Sequence, residues 1–452
     1  MSVHWGGKGP GHVSRWPKAV GPVNTYSGAT MLLDFLNPVL DPRITFSRGT
    51  GATRVNASGF IETVGNTTPR FDYDPVTLAP RGLLIEEART NLLTYSDAFD
   101  NTTGWPTATN ITITANVTAS PDGTTNADRF DDGTAASVQH RLFRGFVTFT
   151  AAAHTYSVFV KAGTGAWFQL TVNDGTTSFY ANFNATTGAL GNRQASATST
   201  ITNVGNGWYR CTMTITPAAA TGNVQIGMLD ADTAAVLPTF TGANRTLFFY
   251  GAQLELGSFA TSYIPTVAST VTRNADVATL TGTNFSSWYN QSEGTFVAQY
   301  AAGSASFNPG APKTVLTAGI GADNNFSARI GYNTGPETAI ASSNIAGVNQ
   351  ASFSRTVVVT SYNKVTMAYK TDDFGFSVNG SAVATDTSGS VYIPNSMSLG
   401  QSGNTYFLNG WIATIAYFNT RLPNAQLQTL TAPSLATTLS LDFTSGSYNV
   451  GF

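Results

Sequence analysis

The chain has 452 residues, too many for one ordinary core, so two or three domains are expected, each large enough to bury a core without metals or disulfides. Only 11% of residues are charged, and Lys+Arg 23 against Asp+Glu 25 leaves a formal net charge of -2. That balance excludes the clustered Lys and Arg of nucleic-acid binding and gives no pull toward anionic membrane, while the single cysteine, Cys211, excludes a disulfide framework and a Cys-based zinc site. Abundant Gly, Thr, Asn and Ser with 12% aromatics point instead to an all-β protein with many tight turns.

Residues 1–30 are rich in Gly and Pro with scattered basic side chains and read as an extended arm that orders against a partner. They lack the apolar stretch of a signal peptide, and no run of eighteen apolar residues anywhere predicts a membrane span. Residues 31–94 read as a junction module that ends in GLLIEEARTNLL, with Glu86, Glu87 and Arg89 set between apolar pairs.

From 95 to 275 the apolar period is two, with about eight strands in a jelly-roll pattern. In AWFQLTV, Phe168, Leu170 and Val172 alternate with Trp167, Gln169 and Thr171; in GWYRCTMTI, Tyr209, Cys211, Met213 and Ile215 alternate with Trp208, Arg210, Thr212 and Thr214. Each strand is expected to bury one face and show the other. A second sandwich is expected over 285–432. It contains an Asn379-Gly380 turn and a short helix in RLPNAQLQTL, capped by Asn424 or Thr420, with Leu427 and Leu430 inward. The remaining stretch, 433–452, reads as a terminal strand or tail; its Leu441-Asp442-Phe443 repeats Leu33-Asp34-Phe35, through pairing of the two ends or as a truncated repeat.

Asp41-Pro42-Arg43, Ser47-Arg48, Pro69-Arg70-Phe71, Asp74-Pro75, and Gly82 through Leu93 with Ser96, Phe99 and Trp105 follow one another, and YGAQLELGSFATSYIPT comes later in the same order. This order, over residues from about 31 to 275, resembles bacteriophage head-fibre and tail-fibre proteins, those with a phage head spike fibre domain. The C-terminal part, through NKVTMAYKTDDFGFSVNG and GWIATIAYFNTRLPNAQLQTL, resembles laminin-G and concanavalin-A-like sandwiches. The resemblance implies a virion structural protein on the exterior of the particle, self-associated (a trimer in the fibre form), bound to capsid or tail proteins and in contact with host-surface polysaccharide. No heptad run supports a coiled-coil stalk.

Catalysis finds little support. Glu86 and Glu87 are adjacent, so on a strand they point to opposite faces and cannot flank one glycosidic bond. No Glu-x-Asp-x-Glu spacing occurs among the acids of the second sandwich, and the four histidines lack a nucleophile partner. A structural clasp is the expected role of Glu86, Glu87 and Arg89, with one Glu paired to Arg89 or to an arginine such as Arg48 or Arg70. No cofactor is expected; the candidate metal is a structural calcium held by Asp97, Asp100 and Glu255, as in jelly rolls resembling carbohydrate-binding modules.

Glycan-contact candidates are Trp167, Gln169, Thr171, Tyr180, Asn182, Trp208 and Arg210, an aromatic-plus-amide set on strand faces expected to be exposed. Trp288, Tyr289 and Tyr406 are the counterparts in the second sandwich. The competing reading makes these faces oligomer or virion contacts. The expected function is therefore a non-enzymatic virion structural protein, a head fibre, spike or decoration. A receptor-binding tail fibre with specific glycan recognition is the alternative, and a glycan depolymerase a more distant one.

Overall fold

The computed structural model describes residues 26–218, 220–303, 313–320, 324–331, 338–358 and 361–433. The arm, except for its last few residues, and the tail beyond 433 lie outside the described residues, as does the second Leu-Asp-Phe segment. The described chain is all-β, built as two sandwiches, and the first strands are β1 (Met31–Asp34), β2 (Thr45–Ser47), β3 (Ala52–Val55), β4 (Ile61–Val64), β5 (Phe71–Tyr73), β6 (Pro80–Ile85) and β7 (Arg89–Asn91).

Residues 31–94 are not a separate module. β1, β5 and β6 join the sheet of the second sandwich that contains Glu293–Ala302 and Gly410–Phe418, and β2 joins the facing sheet through Val277–Thr281. The pleat explains why. Met31 and Leu33 of β1 point into the core while Leu32 and Asp34 point out, and Leu83 and Ile85 of β6 enter the same core with Phe296, Leu316 and Met367. Burying each large apolar side chain contributes roughly 1.5–3 kcal/mol, so the N-terminal strands are integral to this sandwich.

The jelly-roll region is thus an insertion into the second sandwich. It holds two six-stranded antiparallel sheets rather than about eight strands in all, and its core sets Phe168, Leu170 and Val172 against Cys211, Met213 and Ile215. The chain enters through β7 and leaves through Val271–Arg273, and these two segments pair with each other, Arg89 opposite Arg273 and Asn91 opposite Val271. Asn91 fastens this neck: its amide donates to the carbonyls of Ala252 and Ile264, at 3.1 and 2.9 Å, and its Oδ1 accepts from Leu254.

Two smaller expectations can be placed. Asn379 and Gly380 both take positive φ, and the turn closes with Ser381 N donating to Val378 O at 2.8 Å. The helix Asn424–Thr431 forms with Leu427 buried, but Pro423 holds the cap position and neither Asn424 nor Thr420 caps it. Leu430 packs, half-buried, on the Val297, Ala416 and Phe418 cluster.

Candidate functional site at the junction of the sandwiches

Where the insertion meets its host, three arginines and two carboxylates lie buried together: Arg48, Arg70, Arg273, Glu86 and Asp276. Asp276 accepts from Arg48 at 2.9 Å and from Arg70, and its Oδ2 also takes the Glu86 N–H at 2.9 Å. Glu86 accepts from Arg70 at 2.7 Å and from the Ser262 N–H and hydroxyl at 2.8 and 2.7 Å, with Arg273 facing it at 3.4 Å. Burial alone would raise the Glu86 carboxyl, but Arg273, Arg70 and the Ser262 bonds outweigh it and hold the group well below the usual carboxylate range. Arg70 shows the mirror effect, since Asp276 and Glu86 overcome burial and keep it firmly charged.

The clasp residues therefore divide. Glu86 turns to Arg70 inside, whereas Glu87 pairs with Arg89 nearer the surface, and the Arg89 guanidinium also lies 4.9 Å over the Phe259 ring. Gly257 makes room for it: φ is +135°, and a Cβ there would overlap the guanidinium. Arg273 and Asp276, which complete the cluster, sit in the stretch TVTRNADV, where nothing in the local pattern sets them apart from a polar turn.

Beside this cluster lies a cleft of about 550 Å³ lined by both sandwiches. The host contributes Arg54, Asp72, Arg81 and Trp411, and the insertion contributes Arg210, Thr212 and the row Thr198, Thr200 and Thr202. Arg81 lies 4.6 Å over the Trp411 ring, whose Nε1 donates to Asp72 Oδ2 at 2.8 Å. Burial pushes the Asp72 carboxyl up. Asp72 and Glu86, two acids with opposite shifts, thus border one cleft, an arrangement that the search for closely spaced acids could not find. Each is already engaged: Asp72 by Val55 N and Trp411, Glu86 by Arg70 and Ser262.

The expected glycan platform is covered, which corrects the view of those faces as exposed. Gln169, Thr171, Tyr180 and Asn182 are buried and Trp167 half-buried; residues 232–237 fold back over Gln169, Tyr180 and Asn182, and Thr171 lies between Tyr180 and Gln225 of the neighbouring strands. Gln169 Nε2 donates to Asn182 Oδ1 and Ala235 O, Leu237 N–H donates to Gln169 Oε1, Asn182 donates to Asp232 and Thr233, and the Tyr180 hydroxyl donates to Ala234 O. Trp208 is buried with Phe159, Tyr250 and Tyr263, its Nε1 donating to Ala119 O at 3.1 Å. Arg210 alone of the set borders the cleft. Trp288 and Tyr289 are buried against Phe285 and Tyr417, so they too are core residues, while Tyr406 is 39% exposed.

The calcium set is not assembled. Glu255 is buried and accepts both the N–H and the hydroxyl of Thr261, and among the described residues no three His, Cys, Asp or Glu side chains are grouped to hold a metal ion. Cys211 is buried, and burial pushes its thiol up. No described helix is long and apolar enough to cross a membrane.

No protein-family model matches the chain, and no curated protein matches it in sequence. Among solved structures it is similar to the CBM40 of the Ruminococcus gnavus IT-sialidase bound to alpha2,3 sialyllactose, at 19% identity over 33% of this chain and 88% of that chain, with a TM-score of 0.29. It is also similar to Domain 4 of AbnA, a GH43 extracellular arabinanase from Geobacillus stearothermophilus, in complex with arabinotriose (10% identity, 38% and 82% covered, TM-score 0.26). A third is the native heptameric SAP-like pentraxin from Limulus polyphemus (11% identity, 31% and 70% covered, TM-score 0.24).

Proposed function

We propose that the protein is a non-enzymatic structural component of a bacteriophage virion, displayed on the particle exterior as a fibre, spike or decoration, where it contacts host-surface glycans. One observation carries this reading. The motif residues that resemble phage head-spike fibre proteins, Arg48, Arg70 and Glu86 among them, are the residues spent on the buried ion-pair cluster of the host at the neck of the insertion, which Ser262 of the insertion joins by bonding to Glu86 and Arg70. A motif consumed in fixing two domains together suits a rigid exterior building block. The low charge of the chain fits the same role, because weakly charged surfaces allow close lateral packing of copies, and weak glycan contacts gain from many copies.

A depolymerase reading has one observation in its favour, the presence of Asp72 and Glu86 on one cleft. Two measurements separate the readings. Antibody against the purified chain is expected to decorate intact particles in immunogold microscopy, and host polysaccharide incubated with the chain is expected to release no reducing ends. Reducing ends that disappear with Asp72→Asn would overturn the non-enzymatic reading, and unlabelled particles would overturn the exterior one.

A further inference from the structure

We infer that the cleft between the two sandwiches binds an uncharged oligosaccharide; this rests on the glycan-contact part of the function proposed above and assigns it to a site. The position is set by topology. β3, β5 and β6 come from the host and the strands Thr198–Asn203 and Trp208–Ile215 from the insertion, so neither sandwich alone makes the cleft. Its volume of about 550 Å³ lies within the roughly 300–1,000 Å³ typical of small-ligand sites.

The insertion's wall is a field of hydroxyls. Thr198, Thr200 and Thr202 are exposed at alternate positions of one strand, about 6.8 Å apart, and Thr200 Oγ1 lies 2.6 Å from Thr212 Oγ1 on the next strand. A hydroxyl donates and accepts at once, which matches the dual character of sugar hydroxyls. Trp411, half-buried and with Arg81 over one face of its ring at 4.6 Å, supplies the apolar ring surface for the C–H face of a pyranose, whereas the Phe259 ring is already covered by Arg89 and Lys313 at 4.9 and 4.7 Å.

The charge of the ligand follows from the partners of the charged lining groups. Arg54 is paired with Glu62 at 2.7 Å, Arg81 with Asp74 at 2.7 Å, and Arg210 donates to Thr261 O and Ser157 Oγ at 2.7 and 3.2 Å. Asp72 accepts from Val55 and Trp411, and Glu86 from Arg70 and Ser262. A sulfate or carboxylate entering the cleft would compete with the carboxylates already held by Arg54 and Arg81 and would lie beside Asp72 and Glu86, whereas an uncharged sugar meets the hydroxyls and the Trp411 ring without displacing either pair.

The test is isothermal titration calorimetry of the full chain against neutral tetrasaccharides of glucose, galactose and rhamnose and their uronate-bearing and sulfated counterparts. At least one neutral sugar is expected to bind, and its charged counterparts to bind more weakly. Thr200→Val combined with Thr212→Val, which keeps side-chain shape and removes two hydroxyls, is expected to weaken binding roughly tenfold at an unchanged melting temperature. Trp411→Ala should abolish binding, while Tyr180→Phe on the covered face should leave it as in the parent. Binding that survives the double Thr variant unchanged, or tighter binding of sulfated sugars, would overturn the cleft assignment and leave glycan contact standing. Failure of every sugar to bind would remove the glycan contact itself.

Discussion

Arg70 and Asp276 stand 206 residues apart in sequence and meet as an ion pair from which solvent is excluded. One precedes the inserted sandwich and the other follows it. Their contact, together with Glu86, closes the two host segments on each other at the point where the insertion leaves, and Ser262 of the insertion bonds to the same cluster.

Removing one partner of a buried pair leaves an uncompensated charge. Arg70→Ala is expected to lower stability by about 3–5 kcal/mol in urea unfolding, because Glu86 and Asp276 both lose it. Arg89→Ala should cost about 1 kcal/mol or less, since its partner Glu87 is partly exposed to water. Equal losses from the two variants would show that burial does not rank these pairs.

The Glu86 carboxyl is held below its unfolded value, so its contribution is present above the ordinary carboxylate range and is lost as pH falls through that range toward the folded value. Urea midpoints measured from pH 7 down to pH 3 should therefore decline below about pH 4.5. Glu86→Gln should begin from a lower midpoint at pH 7 and decline less steeply.

Asp128 behaves in the opposite sense. Burial raises it to about 6, against the bonds it accepts from the Asn116 and Phe99 N–H groups and with Asp100 nearby. A raised acid favours the folded state below its unfolded pKa, and that contribution fades as pH rises from about 4 through 6. Carboxyl-detected NMR titration should find one Asp near pH 6 that is missing from Asp128→Asn.

Gly82 is expected to tolerate no side chain. Its φ is +104°, and a Cβ would strike the backbone of Ile412 and Ala413 on the adjoining strand. Gly82→Ala should prise β6 from Gly410–Phe418 and lower the melting temperature by several degrees, whereas Gly133→Ala, also at positive φ but facing open space, should cost less.

How much of this was legible in the sequence depends on the range of the interaction. The alternation in GWYRCTMTI placed Cys211, Met213 and Ile215 in the core, because a strand buried on one face writes that face into its own residues. The same alternation in AWFQLTV misled about Gln169: what covers it is the segment 230–240, about sixty residues away and without apolar periodicity. The pairing of Glu86 with Arg70 was among the readings of GLLIEEARTNLL, but Arg273 and Asp276 carry no local mark. The insertion itself was hidden for the same reason. Registers such as Met31 with Tyr417 and Thr45 with Thr279 span most of the chain, and strand patterns give each segment's faces but not its partners.

The central proposal, that this is an exterior virion protein, is tested most directly by an electron cryomicroscopy map of phage particles produced by a host that carries the gene. The account predicts two joined β-sandwiches on the outer surface, in repeated copies, with the cleft between them open to solvent. A map that fits the chain only inside the particle, or particles that lack the chain altogether, would contradict it.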